Sequence, residues 1–144
     1  MAGTPPGAVT VDFAAPAADV YAFFIDPALR PSWQSSLRRV EDVQGDGGVG
    51  TTWIDVTSAG VRPRMTTTLA EPGMAWAETG TWRGIEADLR LDFHPLAAGT
   101  RVVATFELRV PRALAPVGFV LRRLAPLGIK GDLGRAAQQV GSGA

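Results

Sequence analysis

Cysteine is absent from the 144-residue chain, which excludes disulfides, thiolate metal sites and thiol nucleophiles. Histidine occurs once, at His94, and lysine once, at Lys130. One imidazole and carboxylates at no ligand spacing cannot assemble a metal centre, so neither a metal nor a cofactor is expected. Net charge is lacking too: fourteen Lys and Arg balance fourteen Asp and Glu. That removes the chain-wide pull toward polyanions, and no nucleic acid partner is expected. No stretch reaches the ~18 uncharged apolar residues of a membrane span. The most apolar candidate, Leu114 to Ile129, is cut by Pro116, Pro126 and the Arg122-Arg123 pair. The start, "MAGTPPGAVTVDF", has no basic residue and no apolar run of signal-peptide length, so a cytoplasmic protein is expected.

What is present fits one folded unit. Hydrophobic residues make up 46% and charged ones 19%, and a chain of this length buries roughly 70% of its unfolded surface. A single domain over 1–144 is expected, with an ordered core from about 8 to 140. The charges are unevenly spread. From Pro111 onward Arg112, Arg122, Arg123, Lys130 and Arg135 face only Asp132, on an otherwise acidic body. Such a segment reads either as a solvated helix face complementing that body or as a contact for anionic lipid or an acidic partner.

"GAVTVDF" alternates Val9, Val11 and Phe13 with Thr10 and Asp12, which predicts a short strand. A helix follows, with Pro16 in its first turn and an apolar stripe of Val20, Phe23 and Phe24, and Asp26-Pro27 ends it. "DPALRPSWQSSL" holds a second short helix, limited by Pro31, with Trp33 packing inward. Six strands come next, over 37–43, 51–57, 64–70, 74–81, 85–93 and 101–110, separated by Gly- or Pro-bearing turns. After Pro111, Val117, Val120, Leu121, Leu124, Leu133, Ala137 and Val140 recur at helical spacing. Pro126 with Gly128, Gly131 and Gly134 should kink or weaken that helix midway. An α+β fold results: a seven-stranded antiparallel sheet, curled so that its one apolar face is covered by the last helix.

Hairpin pairing fixes which residues share that face. A turn at Arg83-Gly84 pairs Trp82 with Ile85, Gly80 with Ala87, Glu78 with Leu89, Trp76 with Leu91 and Met74 with Phe93. Pairing Phe93 with Val102 extends the row to Ala104, Phe106, Leu108 and Val110. A Pro72-Gly73 turn pairs Leu69 with Trp76, Thr67 with Glu78 and Met65 with Gly80. A turn at Ala59-Gly60 then brings in Thr52, Ile54 and Val56.

Glu78 is the anomaly, an inward carboxylate with Thr52 and Thr67 as neighbours. A buried carboxylate is hydrogen-bonded, paired or protonated, and burial raises its pKa. Glu78 is therefore a candidate catalytic acid or base, or an anchor for a ligand's polar end; the plainer reading is a bond to Thr67 and a buried water. His94 lies on the polar parity before Pro95. "GDGGVG" at 45–50 opens no helix and precedes no lysine, so it reads as a turn rather than a phosphate loop. Ser32, Ser35 and Ser36 have no histidine partner for a triad.

The layout resembles the START-like, or SRPBCC, superfamily. The stretches that carry the likeness are "VTVDFAAPAADVYAFFIDPALRPSWQSSLRRVEDV", "GGVGTTW", "TLAEPGMAWAETG" and "FHPLAAGTRVVATFEL". The resemblance implies a helix-grip fold with two short helices between strands 1 and 2, and a cavity between sheet and last helix for a hydrophobic or aromatic small molecule. It is a resemblance of fold, shared by polyketide cyclases, lipid carriers and plant allergens, and it brings no catalytic motif across by position.

Two readings of the cavity remain open. One is a binding protein or carrier, its pocket lined by Thr52, Ile54, Met65, Thr67, Trp76, Glu78, Leu89, Leu91, Phe106 and Leu124. The other is an aromatase/cyclase-type enzyme in which Glu78 assists an aldol-type proton transfer. A third reading makes the basic C-terminal segment a peripheral membrane or partner-binding module. The broken helix implies a wide cavity mouth, or else two chains cover each other's openings as a homodimer.

Overall fold

A computed structural model describes residues 8–142, with side chains to 140. The ends of the expected domain, 1–7 and 143–144, lie outside the described residues. Strand β1 (Val9–Phe13) leads into α1 (Ala17–Ile25), a 3-10 turn at Pro27–Leu29 and α2 (Arg30–Trp33). Then come β2 (Leu37–Gln44), β3 (Thr52–Thr57), β4 (Arg64–Glu71), β5 (Ala75–Trp82), β6 (Ile85–Leu96), β7 (Gly99–Arg109), a 3-10 turn and α3 (Ala115–Ser142). The strands form one antiparallel sheet in the order β1-β7-β6-β5-β4-β3-β2. This is the helix-grip architecture. No helix among the described residues is long and apolar enough to cross a membrane.

Local chemistry accounts for the elements. α1 starts after Pro16, whose extended backbone and carbonyl cap the first turn (Asp19 N to Pro16 O, 3.0 Å). It ends at Asp26, whose Oδ1 accepts from Ala28 N at 3.0 Å and turns the chain into the 3-10 turn. The β5–β6 hairpin closes on Arg83 (φ 49°) and Gly84 (φ 82°), a two-residue pair of positive φ that matches strand twist. Position 99 requires glycine: its φ is 153°, and a Cβ there would stand 2.1 Å from the Phe13 carbonyl oxygen.

Register from β5 through β7 is as expected: Trp82 pairs with Ile85, Glu78 with Leu89, Trp76 with Leu91, and Phe93 with Val102. Two shifts on the β4 side cancel. The Pro72-Gly73 turn takes in Met74, so Glu71 pairs with Ala75 and Ala70, not Leu69, meets Trp76. A bulge at Thr68 then restores Thr67 to Glu78 and Met65 to Gly80. Met74 is consequently outside the core, 65% exposed.

No such compensation occurs between β3 and β4, and the expectation for Thr52 and Ile54 is corrected there. The connection is a wide loop held by Thr57 N to Val61 O and Asp55 N to Pro63 O, both 3.1 Å, not a tight turn at Ala59-Gly60. Thr52 therefore pairs with Thr66 and Ile54 with Arg64, on the outer face, while Trp53 and Asp55 point inward. The one-residue slip exchanges the two faces.

The concave face is layered. One end is dry: Phe24 contacts the rings of Phe13, Trp33, Trp76 and Phe93 at 5.0–6.5 Å between centroids. Leu133 and Ala136 from the second half of α3 close this end. Contacts of this area and geometry dominate the apolar driving force for folding. The long C-terminal helix expected from the sequence is present, and it continues through Pro126 as one element.

Candidate functional site

Glu78 stands at the border of the dry core. The layer below it, Trp76, Leu91 and Ala104, is fully buried; its own layer, with Leu89 and Phe106, keeps partial exposure. There the sheet and the first half of α3 part to leave a cavity of about 850 Å³, whose lining includes Glu78, Leu89, Phe106, Leu108, Arg122 and Pro126. Glu78 thus lines the cavity although the residue is only 4% exposed.

Its counter-ion is Arg30, a residue that the sequence pattern does not single out. α2 carries Arg30 into the sheet's interior, where it is 1% exposed. The guanidinium donates through Nε to Asp55 Oδ1 (3.1 Å) and through Nη2 to Asp55 Oδ2 (2.9 Å), the bidentate fit of Arg to carboxylate. Nη2 also donates to Glu78 Oε1 at 3.3 Å. Nη1 lies 3.0 Å from Glu78 Oε2, within reach of charge attraction but off the hydrogen-bond line. Trp53 completes the frame: its Nε1 donates to Asp55 Oδ1 at 2.8 Å, and the Arg30 guanidinium sits 4.9 Å from its ring centroid and 5.8 Å from that of Trp33. A weakly hydrated planar cation suits this slot as a lysine ammonium would not.

One arginine between two carboxylates leaves the buried cluster one negative charge in excess. Burial pushes the Glu78 carboxyl above its usual range, the Asp55 charge adds to this, and Arg30 opposes it without winning. For Arg30, burial alone would depress the pKa, but the Glu78 and Asp55 charges and their hydrogen bonds raise it on balance. Several buried polar atoms around the cluster have no hydrogen-bond partner among the described residues: Glu78 Oε2, Arg30 Nη1, Thr67 Oγ1, Trp76 Nε1 and Trp33 Nε1. Thr67 pairs directly with Glu78 across β4 and β5, and Trp76 is two residues along. Of these residues Glu78 lines the cavity, and a buried acceptor at such a place is the kind of group that fixes a ligand's polar end in an otherwise apolar site.

Of the expected lining residues, Met65, Thr67, Trp76, Glu78, Leu89, Leu91 and Phe106 share the concave face. Met65, Trp76 and Leu91 are buried in it, and Glu78, Leu89 and Phe106 border the cavity. Thr52 and Ile54 are on the other face for the reason given above. Leu124 is corrected as well: it is 57% exposed on the outward side of α3, because the helix turns Arg122 and Pro126 to the cavity. His94 is exposed opposite Arg101. No group of three or more potential metal ligands occurs among the described residues. The signal that could have exposed Arg30 is the carboxylate itself, since an inward Glu is stabilised by a cation and "PALRPSW" supplies one between two apolar positions.

The fold has many solved counterparts. The di-domain ARO/CYC StfQ of the steffimycin biosynthetic pathway superposes with a TM-score of 0.77 at 14% identity, over 94% of this chain and 50% of that one. A protein of Thermus thermophilus gives 0.70 at 19% identity, covering 95% and 99%. A Thalictrum norcoclaurine synthase point mutant, in complex with a transition-state analogue, gives 0.69 at 15% identity over 97% of both chains. These likenesses concern the fold. No curated protein matches the chain. A family model does, over residues 7–141, and the chain belongs to the family described as polyketide cyclase / dehydrase and lipid transport.

Proposed function

We propose that the protein binds an apolar or aromatic small molecule in the cavity between the sheet and the first half of α3, with its polar end at Glu78 and Thr67. The observation that carries this reading is the juxtaposition in one cavity of apolar walls, Leu89, Phe106 and Leu108, with a buried carboxylate whose Oε2 faces Arg30 Nη1 at 3.0 Å but accepts no hydrogen bond among the described residues. A volume of about 850 Å³ is in the range of small-molecule sites. Family membership supports the ligand class without naming the ligand.

The test is a titration with the apolar fluorophore anilinonaphthalene sulfonate, beside native mass spectrometry of the protein purified from its own host. Leu89→Trp fills the cavity from the middle of β6 and should weaken probe binding by about tenfold or more, the equivalent of ~1.4 kcal/mol. Unchanged binding by a folded Leu89→Trp protein would place the probe elsewhere and defeat the proposal.

A second reading, cyclase-type catalysis, is favoured by one observation: burial raises the proton affinity of Glu78, whose residue lines the cavity, above that of an ordinary Glu. In it the Glu78 carboxylate takes a proton from the carbon between two carbonyls, the resulting enolate adds to a further carbonyl of the same substrate, and the alkoxide so formed takes the proton back from Glu78. Deuterium exchange at that carbon of a β-diketone probe, followed by NMR, separates the readings. Exchange accelerated by the protein and lost in Glu78→Gln supports the enzyme; no acceleration leaves a carrier.

A further inference from the structure

The first half of α3 is turned inside out. Gly118, Arg122, Ile129, Leu133, Ala136 and Val140 follow one another at helical spacing along the side that meets the sheet. A Cβ on Gly118 would touch Val110 Cγ2 at 3.0 Å, Arg122 Nη2 donates to Leu108 O at 2.9 Å, and Leu133 and Ala136 are buried. Val117, Val120, Leu121, Leu124 and Leu127, at intervals of three, four, seven and ten from the first, form a second stripe on the opposite side. They are exposed by 46, 52, 40, 57 and 72%. An ordinary covering helix presents the larger side chains to the sheet; here the sheet receives glycine and arginine, and solvent receives leucine and valine.

We propose that this outward stripe docks on an anionic lipid bilayer. Charge complementarity selects that occupant. Arg112, Arg123 and Lys130 are exposed along the same stretch, and no Asp or Glu occurs from Leu108 to Gly131. Asp132, the one acid that follows, is engaged by Arg135 and Ser35. A second copy of the chain packed stripe to stripe would bring arginines and lysines together with no carboxylate between them. An anionic bilayer accepts both features at once, the leucines at the acyl boundary and the cations among the headgroups. Phe119, 62% exposed with the Arg123 guanidinium 5.5 Å from its ring centroid, adds an aromatic of the kind that sits at that depth. Docking does not depend on what the cavity holds, but it would set the cavity roof against the membrane.

Co-sedimentation of the full-length protein with phosphatidylcholine vesicles, with and without phosphatidylglycerol, tests this. Binding should require phosphatidylglycerol and weaken with salt. Leu124→Ser/Leu127→Ser should reduce partitioning by about tenfold or more, and Arg123→Gln/Lys130→Gln by about tenfold or more at low salt, each basic residue contributing roughly fivefold. All four side chains are exposed, so unfolding midpoints should stay at the wild-type value and certify the variants. The proposal is overturned if the protein ignores anionic vesicles, or if the leucine pair can be replaced without loss. A concentration-dependent dimer in sedimentation equilibrium that the Leu124→Ser/Leu127→Ser variant abolishes would assign the stripe to a second copy instead.

Discussion

Replacing Arg30 with methionine removes the cation that pairs with both Asp55 and Glu78 and keeps much of the volume between Trp33 and Trp53. Both carboxylates then remain buried, 4% exposed each, with like charge facing like. Removing one partner of a buried pair costs about 3–5 kcal/mol. Two pairs share Arg30, so their losses do not add, and ~4 kcal/mol is the expected effect near neutral pH. Against the ~5–15 kcal/mol of a typical domain this is a large fraction.

The pH dependence gives the experiment its specificity. Without Arg30, burial and mutual repulsion raise the folded-state proton affinity of Glu78 above its already elevated value, whereas the unfolded chain titrates near the ordinary Glu pKa. The folded variant then binds more protons than the unfolded one, so its stability falls as pH rises through that window and recovers as pH drops toward about 5. Urea unfolding between about pH 5 and pH 8 should show the deficit shrinking by ~1.4 kcal/mol for each unit of added shift. Neutralising the orphans, in Arg30→Met/Asp55→Asn/Glu78→Gln, should restore most of the loss. An Arg30→Met protein within about 1 kcal/mol of wild type and flat with pH would refute the buried triad.

Glu78→Gln in the wild-type background leaves the neutral Arg30–Asp55 pair. Because the native Glu78 pKa is raised by burial, wild type loses stability as pH climbs above the ordinary Glu value; the variant should therefore gain on it as pH rises through that window, as read by paired urea titrations. Gly99→Ala forces a Cβ to 2.1 Å from the Phe13 carbonyl oxygen at a φ of 153°. A loss of ~2 kcal/mol or more is expected by denaturant midpoint, a larger effect than the usual entropic gain of Gly→Ala. Asp12→Asn breaks the 2.8 Å bond from Arg101, but both groups are half in solvent, and the unfolding midpoint should not move measurably.

Much of this is legible in the sequence where alternation is strict and turns are short. Ile85 to Phe93 alternates apolar with charged residues, and Arg83-Gly84 dictates a two-residue turn, so β5, β6 and β7 pair as expected and Glu78 is inward. Legibility ends where the turn chemistry is loose. Between β3 and β4, Gly60 and Pro63 occupy one loop, and a turn drawn two residues wide puts Thr52 inward in place of Trp53. That slip hides Asp55, and with it the triad. Arg30 is obscured by a different effect: a four-residue helix carries too little periodicity to show which side faces in. Along α3 the pattern itself misleads, since an apolar stripe ordinarily faces the sheet, and Leu124 does not.

The paired irregularities, one within β4 and one in the turn that follows it, act as a vernier. The extra residue in the Pro72-Gly73-Met74 turn displaces the strand by one position, and the bulge at Thr68 displaces it back, so the two are only meaningful together. A lineage could shorten that turn by one residue and lose the bulge with it, and Thr67 would still meet Glu78. The orientation of the carboxylate is thereby uncoupled from the length of the loop nearest to it. Loop length and cavity chemistry can then vary independently in this chain.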